Sequence, residues 1–429
     1  MAGGGERVTM RIVVIGNGAA GNSAVETIKK HRPQVETIMV ARERFPFYSA
    51  CALPDCLAGW VERPQLFLKQ VADYERMGIS ARLGCEVMGV DAARRTVTVG
   101  SENISYDGLI IASGSRAIIP PIEGTELAGN FVVKSVSDID AIMAHGPRRV
   151  VVVGSGNIGV EAAGALAHQG CEVTLVEMMG HILPRNFDPE LACRIQVLLE
   201  REGVAVFTGE QVCQVKGGDR VEAVVTSGQE IVCDTVIWAV GVRQNVELAR
   251  QVGVELGSLG GIKVNPHMET SISGIWACGD CIESFDILTG EPTLSLLWPS
   301  ARRQGEVAAL NCLGRQAEYE GSLDVVVEEI SGVVLVSIGW TSAGLAGRDI
   351  EVLEDYGEEW GFRVLVVDDR IMGFQSVGVT ASVGVMTALM KKRMPVSEFW
   401  SLVKHPVLAE KFWWFLPARR FLNPGSGTI

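Results

Sequence analysis

The chain has 429 residues, which is enough for about three domains of ordinary size. Its 38 Lys and Arg against 51 Asp and Glu give a net charge of −13, which argues against a protein that binds nucleic-acid phosphates. Hydrophobic residues make up 47% and charged residues 21%, so the composition is that of a folded globular protein and not of a disordered one.

The 10 cysteines are too sparse for a secreted disulfide scaffold, whereas the 49 glycines need a backbone explanation. The first residues are Gly-rich and polar, unlike a signal peptide, and no apolar stretch approaches the roughly 18 residues of a membrane span. We therefore predict a cytoplasmic protein with mostly reduced thiols and no membrane span.

The first predicted element is a buried strand that leads into a glycine-rich turn. Residues Arg11–Gly21 read RIVVIGNGAAG, and Arg149–Gly159 repeat the pattern as RVVVVGSGNIG. In each copy a run of four apolar residues, typical of a buried parallel strand, precedes G-x-G-x-x-G, and an Ala-rich helical stretch follows. Two such fingerprints in this context predict two βαβ dinucleotide-binding units.

The three glycines of each fingerprint serve different ends. The first permits the tight turn, the second lets the backbone approach a pyrophosphate, and the third allows close helix packing. The phosphates would then lie at a helix N-terminus, where unpaired N–H groups and the helix dipole favour negative charge. The predicted ligands are Gly16, Gly18 and Gly21 in the first copy and Gly154, Gly156 and Gly159 in the second.

The residue that ends the second strand of each unit indicates which nucleotide binds. In the first unit this strand ends in Ala41, and the nearest acid, Glu43, is either the ligand of an adenosine ribose or part of a surface charge cluster. In the second unit it ends in Glu177, which would accept the ribose 2′-hydroxyl; the alternative is a solvated strand end. Met178 and Met179 follow where an NADP site often has arginine. We therefore predict NAD(H) over NADP(H) in the second unit.

Beyond the fingerprints the chain continues with more strands and then changes in texture. Tyr106–Gly114 and Asp234–Gly241 are predicted to be buried strands that end on glycine turns. From about Ser322, apolar runs and a helical tail predict a third domain of antiparallel strands and helices. The most aromatic stretch, Lys411–Phe421, is either a C-terminal helix docked on its own core or a partner-binding surface.

In this combination the chain resembles the pyridine nucleotide-disulfide oxidoreductases, flavoproteins with two dinucleotide sites, over nearly its whole length. Ala112–Ser115 with Pro120–Gly124 looks like the family's crossover into its second domain, and Asp234–Asn245 is similar to its strand and turn near the nicotinamide. Gly274–Asp280, GIWACGD, resembles the second flavin motif, and Trp298–Gly305 resembles the helix whose N-terminus faces the flavin.

The resemblance implies an α/β fold of two Rossmann-like dinucleotide-binding domains, one for FAD and one for NAD, with a C-terminal α+β interface domain. It also implies hydride transfer between NAD(H) and FAD, with Asp280 binding the FAD ribityl chain. Besides the glycines, Glu43 and Glu177 above, the implied ligands are Ser113, Gly114, Gly279, Asp280 and Gln304 for FAD and Gly241 for NAD(H). The implied domains are 1–125 with 250–321 for FAD, 126–249 for NAD, and 322–429 for the interface.

The segment after the second strand of the FAD unit carries sulfur chemistry in this family, and Cys51 falls there. Its C-A-L-P run resembles the single-cysteine subgroup, the coenzyme A disulfide reductases and related NADH oxidases, in which one thiol forms a mixed disulfide or a sulfenic acid. Ala50 and Asp55 depart from that subgroup, which usually has Asn and an aromatic residue there. Cys51 and Cys56 also have the spacing of a dithiol pair, although we expect Pro54 to disturb the helical turn that such a pair needs. Cys51 is therefore a single redox thiol, half of a disulfide, or a non-catalytic remnant.

Two further motifs bear on catalysis and on metal binding. His405–Glu410, HPVLAE, matches the family's H-P-x-x-x-E run, which implies that His405, oriented by Glu410, acts as acid/base on the thiol of the other subunit of a homodimer. Cys278 and Cys281 form a single C-x-x-C around an aspartate assigned to the flavin, so we predict no metal site.

The sequence leaves more than one function open. We predict the NAD(H)-reacting electron-transfer flavoprotein subunit of a larger iron–sulfur oxidoreductase complex, such as a 2-oxoacid or aldehyde dehydrogenase; the altered neighbours of Cys51 and a mean hydropathy of +0.23 favour it. The alternative is a free-standing NADH-dependent reductase of a CoA-disulfide, sulfur species or peroxide, or an NADH oxidase, that uses Cys51. A third alternative is a silent binding subunit that keeps FAD only for structure. The expected partners are NAD(H), ferredoxin-like or other iron–sulfur and catalytic subunits, or a second copy of the chain, and no nucleic acid.

Overall fold

A computed structural model describes residues 10–380 and 383–398 of the chain. It confirms the predicted α/β fold with two Rossmann-like parallel sheets, whereas the division into three domains stays a prediction. None of the helices in the described ranges is both long enough and apolar enough to cross a membrane. These residues separate into two compact units. The first contains the chain up to Ile119 together with Val132–Ala144 and Gly241–Ser322. The second contains Pro120–Phe131, His145–Val240 and the chain from Leu323.

The first unit is built on a parallel sheet around the apolar strand Arg11–Ile15. Ile12, Val13 and Val14 are fully buried, as is typical of a parallel strand that is covered on both faces. The strand pairs in parallel with a neighbour on each side. The sheet order is Ile275–Ala277, Gly108–Ile111, Arg11–Ile15, Glu36–Ala41 and Ile79–Leu83.

Two long helices pack against each other in the first unit. The first loop helix, Ala19–His31, follows the first glycine turn, and the helix Trp298–Cys312 lies along it. Gly305 permits the close approach, because a Cβ at this position would collide with the carbonyl oxygen of Ala20. The shorter helices and turns nearby are Ala50–Ala52, Leu53–Ala58, Arg63–Leu66, Val71–Arg76, Val136–His145 and Glu247–Gln251. The small sheets are Val87–Asp91 with Thr96–Val99 and Glu102–Ser105; Ser115–Ala117 with Val242–Gln244; and Ile262–Lys263 with Ile282–Phe285 and Pro292–Thr293.

The second unit repeats the plan around the strand Arg149–Val153. The second loop helix, Asn157–His168, follows its glycine turn. Val153 lies opposite Val176 on the parallel neighbour strand, so the residues that follow these two positions lie side by side. The sheet order is Val204–Thr208, Glu172–Glu177, Arg149–Val153, Thr235–Trp238 and Asn130–Phe131, and a small sheet is formed by Val212–Gly217, Val221–Thr226 and Glu230–Val232.

The second unit also contains a five-stranded antiparallel sheet, which agrees with the change of texture in the sequence. One of its strands carries Arg363, whose side chain is only 7% exposed and forms an ion pair with Asp188 at 3.3 Å. Asp188 is itself 3% exposed and precedes the helix Pro189–Arg201, so a buried ion pair joins this sheet to that helix. The sheet order is Val325–Ile330, Val333–Gly339, Arg370–Val377, Gly361–Val367 and Glu351–Tyr356, with the turn Ala343–Leu345 and the helix Val383–Lys392 beside it.

Candidate functional site

In the first glycine loop the three glycines meet three different steric demands. Gly16 has φ +116°, and its N–H donates to the carbonyl of Val40 at 2.8 Å. A Cβ on Gly16 would collide with the carbonyl oxygen of Ala112, and one on Gly21 with the carbonyl oxygen of Gly16. Gly18 has no atom within 4 Å of its Cβ position. The loop therefore exposes backbone at the start of a 13-residue helix, where a pyrophosphate can bind.

The second glycine loop has the same construction. Gly154 has φ +94° and donates to the carbonyl of Val176 at 2.8 Å. A Cβ on Gly159 would collide with the carbonyl oxygen of Gly154, while the Cβ position of Gly156 is open. Each unit thus presents one loop with the geometry that a dinucleotide needs.

Glu177 lies directly beside the second loop. It is 7% exposed, so the alternative that it is a solvated strand end is wrong. Its Oε2 accepts hydrogen bonds from the Ser155 N–H at 2.8 Å and from the Ser155 hydroxyl at 2.7 Å, and its Oε1 accepts one from the Met179 N–H at 2.7 Å. Sequence reasoning missed Ser155, although its place between the first two glycines was a signal that could have found it.

Glu43 has a different environment in the first unit. It is exposed between two exposed arginines, and its Oε2 accepts a hydrogen bond from the Tyr48 hydroxyl at 2.7 Å. The carbonyl of Glu43 also accepts from the N–H of Gly84. The carboxylate is therefore held at the end of the second strand, and its role as an adenosine-ribose ligand stays a prediction.

Gly279 and Gln304 lie at the carboxyl end of the first sheet. Gly279 has φ +80°, and a Cβ there would lie 2.9 Å from the Cβ of Ala20 in the first loop helix. Its N–H donates to Gln304 Oε1 at 2.9 Å. Gln304 is 1% exposed, and its buried Nε2 has no hydrogen-bond partner among the described residues. A buried donor without a partner beside an open glycine loop fits a bound FAD.

Asp280 is held by two residues that are far away in the sequence. Its Oδ2 accepts hydrogen bonds from the Ser115 hydroxyl at 2.7 Å and from Lys134 Nζ at 3.2 Å. Because these partners precede Asp280 by 165 and 146 residues, no local pattern could have pointed to them. Asp280 is thus held in place within the first unit, and its role as the ligand of the FAD ribityl chain stays a prediction.

Ser113 and Gly114 follow the strand Gly108–Ile111, and Gly241 precedes the strand Val242–Gln244. Hydrogen bonds join these two parts of the first unit. The Ser113 hydroxyl donates to the carbonyl of Asn245 at 2.7 Å, and the Asn245 N–H donates to the carbonyl of Gly114 at 3.0 Å. Gly241 has φ +108°, and its carbonyl accepts from the N–H of Ile118. Gly241 lies in the first unit, whereas the other residues assigned to NAD(H) lie in the second, so its assignment stays a prediction.

The two cysteines that follow the second strand of the first unit differ in exposure. Cys51 lies in the short turn Ala50–Ala52 and is exposed. Cys56 is buried in the helix Leu53–Ala58, and burial raises the pKa of its thiol. The thiolate is the reactive form, so Cys51 is the more accessible nucleophile of the two. Pro54 lies in the first turn of the helix Leu53–Ala58, where a proline is tolerated, and Cys51 lies outside this helix, so no single helical turn contains both cysteines.

The segment that carries Cys51 contacts a cavity wall through Lys69. The Phe47 ring stacks on Trp298, with 5.3 Å between ring centroids, and Lys69 Nζ lies 5.7 Å from the centre of the Phe47 ring. Lys69 Nζ also lies 2.7 Å from Glu26 Oε1, and Arg302 contacts the other oxygen of Glu26 at 3.1 Å. Sequence reasoning missed this cluster. Glu26 and Arg302 line a cavity of about 480 Å³ together with Ser23, Thr27, Lys30, Pro299, Arg303 and Glu306.

The remaining predicted residues are either unreactive or outside the described chain. Cys278 and Cys281 are fully buried, and burial raises the pKa of both thiols. The described part of the chain contains no group of three His, Cys, Asp or Glu side chains that could hold a metal ion. His405, Glu410 and the aromatic stretch Lys411–Phe421 lie outside the described residues.

Comparisons with known proteins agree with this geometry. A family model described as pyridine nucleotide-disulphide oxidoreductase matches residues 10–305. The chain is 34% identical over 425 residues to an NADH oxidase of Methanocaldococcus jannaschii, in an alignment that covers 91% of this chain and 93% of that protein. It is 28% identical over 392 residues to the assimilatory nitrate reductase electron transfer subunit of Bacillus subtilis, in an alignment that covers 89% of this chain and 49% of that longer protein. The solved structure of a NAD-dependent persulfide reductase from A. fulgidus matches with a TM-score of 0.89 at 26% identity and covers 97% of this chain and 83% of that one.

Proposed function

Because the chain belongs to the pyridine nucleotide-disulphide oxidoreductase family, we propose that it is a NAD(H)-dependent reductase of a sulfur-containing substrate and that Cys51 is its reacting thiol. The family assignment makes the chain an FAD- and NAD(H)-dependent oxidoreductase. The observation that carries the proposal is the exposure of Cys51 in the flavin unit, where Cys56 is buried. The NADH oxidase and persulfide reductase among its relatives support it.

The two cofactors would be held by the two glycine loops. When bound, FAD supplies a two-electron relay between NADH and a sulfur atom. The first loop helix would hold the phosphates of FAD, and Asp280 would hold its ribityl chain. The unpartnered Nε2 of Gln304 would donate a hydrogen bond to a polar group of FAD. Glu177 would hold the adenosine ribose of NAD(H) and would repel the 2′-phosphate of NADPH. The full proposed sets are Gly16, Gly18, Gly21, Glu43, Ser113, Gly114, Gly279, Asp280 and Gln304 for FAD, and Gly154, Gly156, Gly159, Glu177 and Gly241 for NAD(H).

The proposed chemistry at Cys51 is thiol–disulfide exchange. The Cys51 thiolate attacks one sulfur of a disulfide RSSR, so that a Cys51–SR bond forms, the substrate S–S bond breaks, and RSH leaves after it takes up a proton. The electron pair of NADH then reduces the mixed disulfide, which releases the second RSH and restores the thiolate. Overall, NADH, one proton and RSSR give NAD⁺ and two RSH. The acid/base role of His405 and Glu410 stays a prediction.

The cavity beside the first loop helix favours a phosphorylated thiol, such as coenzyme A, as the R group. Lys30, Arg302 and Arg303 bring positive charges to its wall, where Arg302 pairs with Glu26 and Arg303 pairs with Glu306 and Glu320. A volume of about 480 Å³ is in the range of small-molecule sites. The Lys69–Glu26 ion pair connects this wall to the segment that carries Cys51. This arrangement supports a substrate whose phosphates bind in the cavity while its sulfur reaches the thiol.

A set of serine variants tests the proposal. We expect Cys51→Ser to lower NADH-dependent reduction of coenzyme A disulfide at least about 100-fold while NADH oxidation by ferricyanide stays unchanged. Cys193→Ser, at another exposed cysteine, is the matched control and should change neither rate. If Cys56→Ser abolishes disulfide reduction equally, the two cysteines work as a pair and the single-thiol proposal is wrong. It is also wrong if Cys51→Ser retains full disulfide reduction.

A second candidate is the predicted electron-transfer subunit of an iron–sulfur complex. The Bacillus subtilis relative, named as an electron transfer subunit, favours it. So do three exposed large hydrophobic residues on the segment after Cys51, namely Trp60, Leu68 and Val71. Under this candidate Cys51→Ser leaves turnover with every acceptor unchanged, and iron–sulfur subunits copurify with the chain from its host. A clean homodimer together with a dead Cys51→Ser variant would exclude it.

A further inference from the structure

We propose that Ser155 is a positioning residue that fixes the Glu177 carboxylate for the ribose 2′-hydroxyl of NAD(H), and that its hydroxyl thereby contributes to the choice of NADH over NADPH. The inference rests on the proposed NAD(H) site at Glu177. It adds a residue that acts through the carboxylate.

The geometry of the carboxylate carries this inference. Glu177 Oε2 accepts two hydrogen bonds from Ser155, one from its N–H at 2.8 Å and one from its hydroxyl at 2.7 Å. Ser155 is fully buried, so its hydroxyl does not contact bulk solvent. The pairing of Val153 with Val176 places the two side chains next to each other at the ends of their strands. The hydroxyl therefore fixes the direction in which the carboxylate points.

The first glycine loop provides an internal comparison. Asn17 occupies the position of Ser155, and the strand that corresponds to the Glu177 strand ends in Ala41. The Asn17 amide donates instead to the carbonyl of Phe45 at 3.1 Å, and Glu43, two residues after that strand, accepts from the Tyr48 hydroxyl. The serine hydroxyl is thus found in the loop that has a carboxylate beside it. If the serine acts by positioning the Glu177 carboxylate, it is expected in the loop where that carboxylate lies, and it is found there.

The loss of the hydroxyl has a defined consequence. The carboxylate keeps its charge and the N–H bonds from Ser155 and Met179, but it loses a charge-assisted hydrogen bond that sets its orientation. The bond to the 2′-hydroxyl weakens in the ground state and the transition state alike, which raises KM and leaves kcat unchanged. NADPH gains little, because the negative charge that repels its 2′-phosphate remains.

The experiment compares Ser155→Ala with Glu177→Ala and with Ser376→Ala, using ferricyanide as acceptor so that the result does not depend on Cys51. Ser376 is the matched control, because it is also fully buried in the second unit and its hydroxyl donates to the carbonyl of Val379 at 2.8 Å. We expect Ser155→Ala to raise the KM for NADH about fivefold with kcat within about twofold, and to lower the NADH over NADPH preference. Ser376→Ala should leave both constants unchanged. Ser155→Gly, which also lacks the hydroxyl, should reproduce the effect if the alanine variant folds poorly.

The outcomes separate this inference from the site on which it rests. If Glu177→Ala raises the KM for NADH and both Ser155 variants leave it unchanged, the NAD(H) site stands and the role of Ser155 is overturned. If neither Glu177→Ala nor the Ser155 variants change KM, both the inference and the proposed ribose ligand are wrong. An equal rise in KM for Ser155→Ala and Ser376→Ala would mean a general loss of packing and would overturn the inference.

Discussion

The two glycine loops share one backbone plan and differ in the residue between their first two glycines. In the first, Asn17 holds the carbonyl of Phe45, at the start of the segment that leads to Cys51. In the second, Ser155 holds the Glu177 carboxylate. The two loops therefore share a backbone geometry, while the side chain between the first two glycines contacts the segment that leads to Cys51 in one unit and the Glu177 carboxylate in the other.

The largest expected effect comes from the third glycine of each loop. A Cβ at Gly21 or Gly159 would collide with the carbonyl oxygen of Gly16 or Gly154. Overpacking of this kind costs about 1–3 kcal/mol, and 1.4 kcal/mol is tenfold in affinity. We expect Gly21→Val to lower the bound flavin at least about tenfold, and Gly159→Val to keep its flavin but raise the KM for NADH by a similar factor. Flavin absorbance per protein and NADH kinetics with ferricyanide measure the two effects.

The control for both valine variants is Gly218→Val, because nothing lies within 4 Å of that Cβ position. This variant should bind flavin and NADH normally. Loss of flavin from Gly159→Val, or unchanged flavin in Gly21→Val, would contradict the assignment of the loops to different cofactors.

A smaller effect is expected at Asn17, and it sharpens the comparison with Ser155. The Asn17 side chain donates to the carbonyl of Phe45 and accepts from the Tyr74 hydroxyl at 2.8 Å, while that hydroxyl accepts from the Phe47 N–H at 2.9 Å. Asn17→Ala removes this support ahead of Cys51, at about 1 kcal/mol per hydrogen bond. We expect coenzyme A disulfide reduction to fall about fivefold, with no change in the KM for NADH. A raised KM for NADH would show that the two loops do not divide these tasks.

The last expected effect is on stability and not on catalysis: a pH dependence in the second unit. Burial raises the pKa of Glu328 from 4.5 to about 7. The folded state therefore binds this proton more tightly than the unfolded state, so the stabilisation is complete below pH 4.5 and is lost as pH rises through 7. We expect the free energy of unfolding to fall by about 2–3 kcal/mol between pH 4.5 and 7 on this account. Urea unfolding of Glu328→Gln should lack this decline, whereas Glu329→Gln, at the exposed neighbour, should keep it.

The fold and the glycine sites could be predicted from sequence because their signals are local. Apolar runs before G-x-G-x-x-G determine a buried strand and a turn within about a dozen residues, and the spacing to Glu177 follows from one βαβ unit. Asp280 and its partners show the limit, since Ser115 and Lys134 reach it only after the chain has crossed between strands. Pro54 shows another limit: a proline indicates that a helix begins near it, but only the structure shows that the helix starts at Leu53 and leaves Cys51 outside.

The buried pair of Arg363 and Asp188 has a consequence for anyone who wants to cut this protein into parts. A fragment that stops before residue 363 would contain the whole second glycine loop and Glu177, yet it would lose two strands whose Arg363 and Gln375 contact the Asp188 end of the helix Pro189–Arg201. In the intact chain, removal of Arg363 alone would leave Asp188 as an unpaired buried charge at a cost of about 3–5 kcal/mol, a large fraction of the stability of an ordinary domain. A fragment built around the second glycine loop should therefore keep the antiparallel sheet.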